Sequence, residues 1–137
     1  MVDISIIIVN WNACELLRRC LSSIDANRGD LSLEVIVVDS ASADESVQMI
    51  RRQFSQVELI ASQENLGYAC GNNLGAQEAK GRYLLILNPD TEIVAGALQQ
   101  MVAYLDAHST VGVVGPRLIL PDGSIQRSCR RFPQLAT

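Results

Sequence analysis

The sequence predicts one α/β domain built on a parallel sheet with helices on both faces, and three features predict it. Short apolar runs at residues 4–9, 35–38, 57–60, 83–87 and 111–114 have the character of buried strands. Between them lie segments whose apolar residues recur at helical spacing. The connections are short, so successive strands join one sheet through right-handed crossovers.

Residues 4–9 are β-branched apart from Ser5 and read as a central strand ending at Asn10-Trp11-Asn12. Asn12 is placed to cap a helix, with Glu15 reaching back and Leu17, Cys20, Leu21 and Ile24 on its inner face. Gly29 ends that helix. The second strand, 35–38, stops on Asp39 in the polar loop Asp39-Ser40-Ala41-Ser42. Ser42 and Glu45 have capping-box spacing ahead of a helix that carries Val47, Ile50 and Phe54.

A shorter strand at 57–60 leads through Glu64-Asn65-Leu66-Gly67 into the small-residue segment 68–80. Gly71, Asn72, Asn73 and Gly75 are poor helix formers, which points to close packing or a nearby ligand. Gly81 closes that segment, and 83–87 is an unbroken apolar run predicted to be covered on both faces. It halts at Asn88-Pro89-Asp90, because Pro89 has no N–H with which to continue a ladder. Leu98, Met101, Val102 and Leu105 then predict a helix, with His108 at its C-terminal end in a surface role. After a strand at 111–114, the turn Leu120-Pro121-Asp122-Gly123 predicts a hairpin between Leu118-Ile119 and Ser124-Ile125.

Composition agrees with this plan. With 137 residues, 48% hydrophobic and 19% charged, the chain is long enough for one domain with a real core and too apolar for disorder. The net charge of −4 argues against a general nucleic-acid binder. Arg117, Arg127, Arg130 and Arg131 gather near the C-terminus, as a solvated tail or a local anion site. Cys14, Cys20, Cys70 and Cys129 lack C-x-x-C spacing and a neighbouring histidine, so they read as reduced thiols. No secretory pattern opens the chain and no apolar run approaches the ~18 residues of a membrane span, so the expected location is cytoplasmic, with docking on the inner face of a membrane left open.

In a parallel sheet all strand ends share one edge, where α/β proteins bind ligands. Asn10, Asp39 and Asp90 follow different strands and should meet there. Asp39 could accept an imide N–H from a uracil or thymine ring, or a ribose hydroxyl. Asp90 suits a divalent metal that bridges two phosphates, and Asn88 could assist through a ribose or a metal-bound water. Taken alone, Asn88-Pro89-Asp90 also fits a plain polar turn; the convergence of strand ends is what favours a site. A dinucleotide-binding Gly-x-Gly-x-x-Gly and a P-loop are both missing after the first strand.

Four blocks occur in order: Ile6-Ile7-Ile8-Val9-Asn10-Trp11-Asn12, Val37-Val38-Asp39-Ser40-Ala41-Ser42-Ala43-Asp44, Glu64-Asn65-Leu66-Gly67-Tyr68-Ala69-Cys70-Gly71-Asn72-Asn73, and Leu87-Asn88-Pro89-Asp90-Thr91. Together they resemble the family 2 glycosyltransferases, and within them the rhamnosyltransferase-like branch, which Gly115-Pro116-Arg117, Pro121-Asp122-Gly123 and Arg130-Arg131-Phe132-Pro133 also resemble. The resemblance implies a Rossmann-like sheet of the glycosyltransferase A type, with residues 1–137 as the nucleotide-sugar-binding domain, truncated before an acceptor-binding half. It implies a hexosyltransferase of cell-surface polysaccharide biosynthesis that moves a sugar, such as rhamnose, from a UDP- or dTDP-linked donor to a glycan or lipid-linked acceptor with inversion. The implied cofactor is Mg²⁺ or Mn²⁺ on Asp90. The implied nucleotide-binding residues are Val9, Asn10, Asn12, Asp39, Asn72, Asn73 and Asn88. Asn88 departs from the Asp-x-Asp pattern of the wider family and resembles this branch's Asn-Pro-Asp variant.

The catalytic base is expected beyond Thr137; Glu92 and Asp122 are the nearest acidic residues and neither is assigned that role. A fragment of this kind is expected to be inactive alone and to self-associate through its cut sheet edge as a homo-oligomer. Two other classes compete. A nucleotidyltransferase-like enzyme would need a basic, glycine-rich loop after the first strand, which residues 10–15 do not supply. A non-catalytic nucleotide-binding or self-associating module would use the same sheet edge without chemistry.

Overall fold

A computed structural model describes residues 1–128. The elements follow the order β1 (Ile4–Asn10), α1 (Cys14–Asn27), β2 (Leu33–Ser40), α2 (Ser46–Gln53), β3 (Glu58–Ser62), α3 (Gly67–Glu78), β4 (Tyr83–Leu87) and α4 (Ala97–Ala107). The strands form one parallel sheet in the order β3-β2-β1-β4. The central β1 is buried along its whole length, as its β-branched run predicts.

Alternation along β1 sorts its side chains between two layers. Ile4, Ile6 and Ile8 face the main core with Leu17, Leu21 and Ile24 of α1, Met49 and Ile50 of α2, and Leu98 and Val102 of α4. Ile7 and Val9 face α3. There Gly71 and Gly75 allow the helix backbone to lie against the strand: a Cβ at Gly75 would come within 2.6 Å of Ile7 Cγ2, and one at Gly71 within 2.8 Å of Val9 Cγ2. The weak helix propensity of this segment is therefore the condition for close packing.

At the amino edge of the sheet, Ser5 Oγ donates to Glu34 Oε2 and accepts from the Gly81 N–H at 2.8 Å, while the Lys80 N–H reaches the same Glu34 oxygen at 2.9 Å. This cluster fixes the turn from α3 into β4. Next to it, Asp106 accepts from Arg82 Nη1 at 2.6 Å and from the Tyr83 hydroxyl at 2.7 Å, tying α4 to the start of β4.

Several expectations need correction. β4 is an edge strand: Tyr83, Leu85 and Leu87 turn toward the core, but Leu84 and Ile86 are 52% and 44% exposed because α3 covers β1 and β2 and stops short of β4. Residues 111–114 form no strand, and Val113 is exposed near β4, whose outer edge pairs with no strand among the described residues. The hairpin is reduced to a bridge between Ile119 and Ile125, closed by the Leu120 N–H on the Ser124 carbonyl at 2.8 Å.

Both predicted capping boxes are absent. α1 begins after Ala13 and α2 after Glu45, each without a side-chain cap, because Asn12 and Ser42 bond across loops instead. Gly29, with φ +57°, does follow the end of α1, and His108 Nδ1 lies 2.8 Å from the Tyr104 carbonyl oxygen at the end of α4. Cys14, Cys20 and Cys70 are free thiols. Cys129 and the segment Arg130-Arg131-Phe132-Pro133 lie outside the described residues.

Candidate functional site

The carboxyl edge of the sheet gathers the polar residues singled out in the sequence. Asn10 and Asp39 are register partners at the ends of β1 and β2, and Ile8 pairs with Leu87, so Asn88-Pro89-Asp90 emerges on the other side of β1. The predicted convergence of these strand ends is thus present.

Asn10 and Asp39 hold each other. Asn10 is fully buried, and its Nδ2 donates to Asp39 Oδ2 at 2.8 Å and to Ser42 Oγ at 3.2 Å. Asp39 is 1% exposed and also accepts from the Ser42 N–H at 2.9 Å and the Ser42 hydroxyl at 2.7 Å. By strand alternation both side chains lie on the face that carries α1 and α2. Asn12 joins the same loop pair: its N–H donates to Ser42 Oγ at 2.9 Å and its Oδ1 accepts from the Ala43 N–H at 2.7 Å. Asp44 extends the join to the helices, accepting from the Cys14 N–H at the start of α1 and from the Ser46 N–H at the start of α2. Burial acts to raise the Asp44 pKa, but the hydrogen bonds from Ser46 and Cys14 outweigh it and hold it below the ordinary carboxylate value.

On the opposite face, between the strand ends and the start of α3, lies a pocket of about 340 Å³ lined by Val9, Trp11, Ser40, Asn65, Gly67, Tyr68 and Pro89. Trp11 and Tyr68 are 59% and 54% exposed, so two aromatic side chains border the opening. The Asn65 side chain accepts from the Gly67 N–H at 2.9 Å and shapes the entry to α3. Ser40 is buried, lines the pocket, and its hydroxyl has no partner among the described residues. Asn10 Oδ1 and Asn72 Oδ1 are likewise buried without a partner among the described residues. Buried polar atoms are rarely left unsatisfied, so the Ser40 hydroxyl in the pocket lining marks a place for ligand or water.

Of the predicted site residues, Val9 lines the pocket directly. Asn72 is buried on α3, with its Nδ2 on the Tyr68 carbonyl at 2.8 Å, whereas Asn73 is exposed on that helix. Asn88 and Asp90 are exposed beyond β4. Sequence reasoning did not single out Trp11, Ser40, Asn65 or Tyr68 as site residues; the available signal was an aromatic residue in each of two loop blocks that follow strands.

Among the described residues Asp90 makes no hydrogen bond or ion pair, whereas Glu92 pairs with Arg19 Nε at 3.3 Å. No group of three metal-ligating side chains occurs among the described residues. Among the described residues, the side chain this edge offers a cation is the unengaged Asp90 carboxylate. Burial, with added repulsion from Asp90 and Glu92, pushes the Cys20 thiol up to about 12, so it stays protonated beneath this edge. Burial and the neighbouring Asp44 also raise Cys14, which leaves neither thiol suited to nucleophilic work.

The parallel sheet and its helices define an α/β domain of the glycosyltransferase A type. The chain belongs to glycosyl transferase family 2, which it matches over residues 5–130. It is 24% identical over 147 aligned positions to the N-acetylglucosaminyl-diphospho-decaprenol L-rhamnosyltransferase of Mycobacterium tuberculosis, with 98% of this chain and 48% of that protein covered. Its fold superposes with a TM-score of 0.71 on the mannosyltransferase PcManGT from Pyrobaculum calidifontis in complex with GDP-Man and Mn²⁺, at 25% identity over 87% of this chain and 36% of that one. S. aureus TarS (1-349) in complex with UDP-GlcNAc gives a TM-score of 0.69 at 21% identity, covering 89% and 42% of the respective chains. The chain spans less than half the length of the curated relatives it matches. No helix among the described residues is long and apolar enough to cross a membrane.

Proposed function

We propose that this chain binds the nucleoside-diphosphate sugar of an inverting glycosyltransferase that delivers a sugar, rhamnose among the candidates, to a glycan or lipid-linked acceptor. One observation carries the reading: the pocket walled by Trp11 and Tyr68, with the unpartnered Ser40 hydroxyl inside it, opens on the same sheet edge as the unengaged Asp90 carboxylate. The aromatic walls suit a flat base, and the first turn of α3, beyond the Gly67 N–H taken by Asn65, offers backbone N–H groups to phosphate oxygens. Asn10, Asn12 and Asp39 shape the base end, Asn72 and Asn73 belong to the helix along the donor, and Asn88 stands beside the diphosphate.

Asp90 would hold Mg²⁺ or Mn²⁺, which would offset the charge that develops on the departing diphosphate. The presence of Mn²⁺ with GDP-Man in the similar mannosyltransferase supports a metal here, and UDP-GlcNAc in TarS supports a nucleotide sugar. Calorimetry with UDP, dTDP and GDP, each with and without Mn²⁺, tests the reading. Metal-dependent binding of one diphosphate, weakened by Asp90→Asn, is expected; no binding to any of them, with the chain folded, would overturn it.

The exposed Leu84 and Ile86 on the unpaired edge of β4 favour a second property, self-association. Sedimentation should show a concentration-dependent oligomer that Ile86→Lys converts to monomer; a wild-type monomer at all concentrations would rule it out.

A further inference from the structure

Ser42 does not line the pocket, yet it is the hub of the two loops that supply the pocket's inner wall. Its hydroxyl proton goes to Asp39 Oδ2 at 2.7 Å, and its oxygen accepts from Asn10 Nδ2 at 3.2 Å and from the Asn12 N–H at 2.9 Å. Its own N–H goes to Asp39 Oδ1 at 2.9 Å. One hydroxyl thereby uses its single proton and both lone pairs, each on a different residue.

The loops it joins are both held in unfavourable backbone conformations. Asn12 has φ +51° and Ala41 has φ +58°, the left-handed region that is uncommon for non-glycine residues and costlier for Ala41 than for Asn12. Trp11 precedes Asn12, and Ser40 precedes Ala41. Each wall residue is thus adjacent to a strained residue, and Ser42 bonds directly to the backbone of the first loop and through Asp39 to the root of the second. Releasing Ser42 would let Asn12 relax toward ordinary φ values and swing Trp11 away from Tyr68.

We propose that Ser42 is a positioning residue for the donor pocket: its hydroxyl locks the β1–α1 loop to the β2–α2 loop and so fixes the Trp11 wall. The proposal rests on the donor-binding reading for its effect on affinity, but its structural half stands independently. Trp11 is the only tryptophan, so its fluorescence reports on this loop and nothing else.

The test compares Ser42→Ala, which removes the hydroxyl, with Ser42→Thr, which keeps it, using time-resolved Trp11 anisotropy and calorimetric titration with UDP and Mn²⁺. Ser42→Ala should add a nanosecond depolarisation of Trp11 and weaken UDP binding about tenfold, the scale of losing one such hydrogen bond, while far-UV circular dichroism is unchanged. Ser42→Thr should retain wild-type values in both. If Ser42→Ala fails to fold, Asn12→Gly supplies the second arm, since glycine accepts the positive φ but removes the Oδ1 bond to Ala43; it too should free Trp11. Wild-type anisotropy in a folded Ser42→Ala or Asn12→Gly protein, or Ser42→Thr behaving like Ser42→Ala, would overturn the proposal. Loss of Trp11 order with no UDP binding even in the wild type would instead sink the donor-binding reading and leave the loop lock standing.

Discussion

Asn10 Nδ2 donates to Asp39 Oδ2 at 2.8 Å, joining the last residues of two neighbouring strands by a buried side-chain bond. Because Asp39 collects this bond and two more from Ser42, its carboxylate organises the crevice before any ligand arrives. Asp39→Asn must turn an NH₂ group toward one of these donors. The expected loss is roughly 1–3 kcal/mol of stability, measured by urea unfolding, the range for leaving a buried donor without its acceptor. An unchanged unfolding midpoint would show that the loops hold without it.

Gly75→Ala should be more damaging than an alanine at an ordinary helix position. The new methyl would sit 2.6 Å from Ile7 Cγ2, inside van der Waals contact with a buried central strand. Overpacking of this kind costs roughly 1–3 kcal/mol even though alanine is the better helix former. A thermal melt showing stabilisation instead would mean that α3 can slide on the sheet.

Acid should loosen both ends of the sheet. For Glu34, burial acts to raise the pKa, but hydrogen bonds from Ser5 and Lys80 together hold it below its ordinary 4.5; Asp44 is held below its ordinary 3.8 in the same sense. A carboxylate with a depressed folded pKa binds fewer protons folded than unfolded, so its contribution is complete above the unfolded value and disappears as pH falls through the folded one. Stability should therefore be level above about pH 5 and fall progressively below about 4.5. Glu34→Gln and Asp44→Asn should each lower the plateau and flatten the acid limb, measured by urea unfolding across pH.

Asp90→Asn separates binding from folding. The side chain is exposed and makes no hydrogen bond among the described residues, so the melting temperature should stay within about a degree. Mn²⁺-dependent affinity for the nucleoside diphosphate should fall at least about tenfold, the scale on which metal sites respond to losing even an outer partner. Equal affinity in both proteins would take the metal role away from Asp90.

The four strands of the sheet and the meeting of their polar ends were legible in the sequence because uninterrupted apolar runs and abrupt polar stops are local signals. Capping was misread for a physical reason. Asn12 and Ser42 stand at the right distance from Glu15 and Glu45, but their polar groups found partners across two loops, about thirty residues away in sequence, and spacing within one segment cannot show that competition. The exposure of Leu84 and Ile86 was hidden for a related reason: an apolar run has the same composition whether a neighbour covers it or not. Trp11 and Tyr68 belonged to recognised blocks, yet their meeting across one pocket depends on the glycines that lower α3 onto β1.

The position of β4 at the rim of the sheet has a kinetic meaning. Among the described residues it is bonded to β1 alone, and it is the strand that delivers Asn88 and Asp90. Its amides should exchange with solvent through an opening less costly than global unfolding, while those of β1 wait for the whole domain to unfold. A nucleotide and metal gripped at Asp90 would slow exchange first in β4, so the strand that completes the crevice would also be the one whose lifetime the ligand sets.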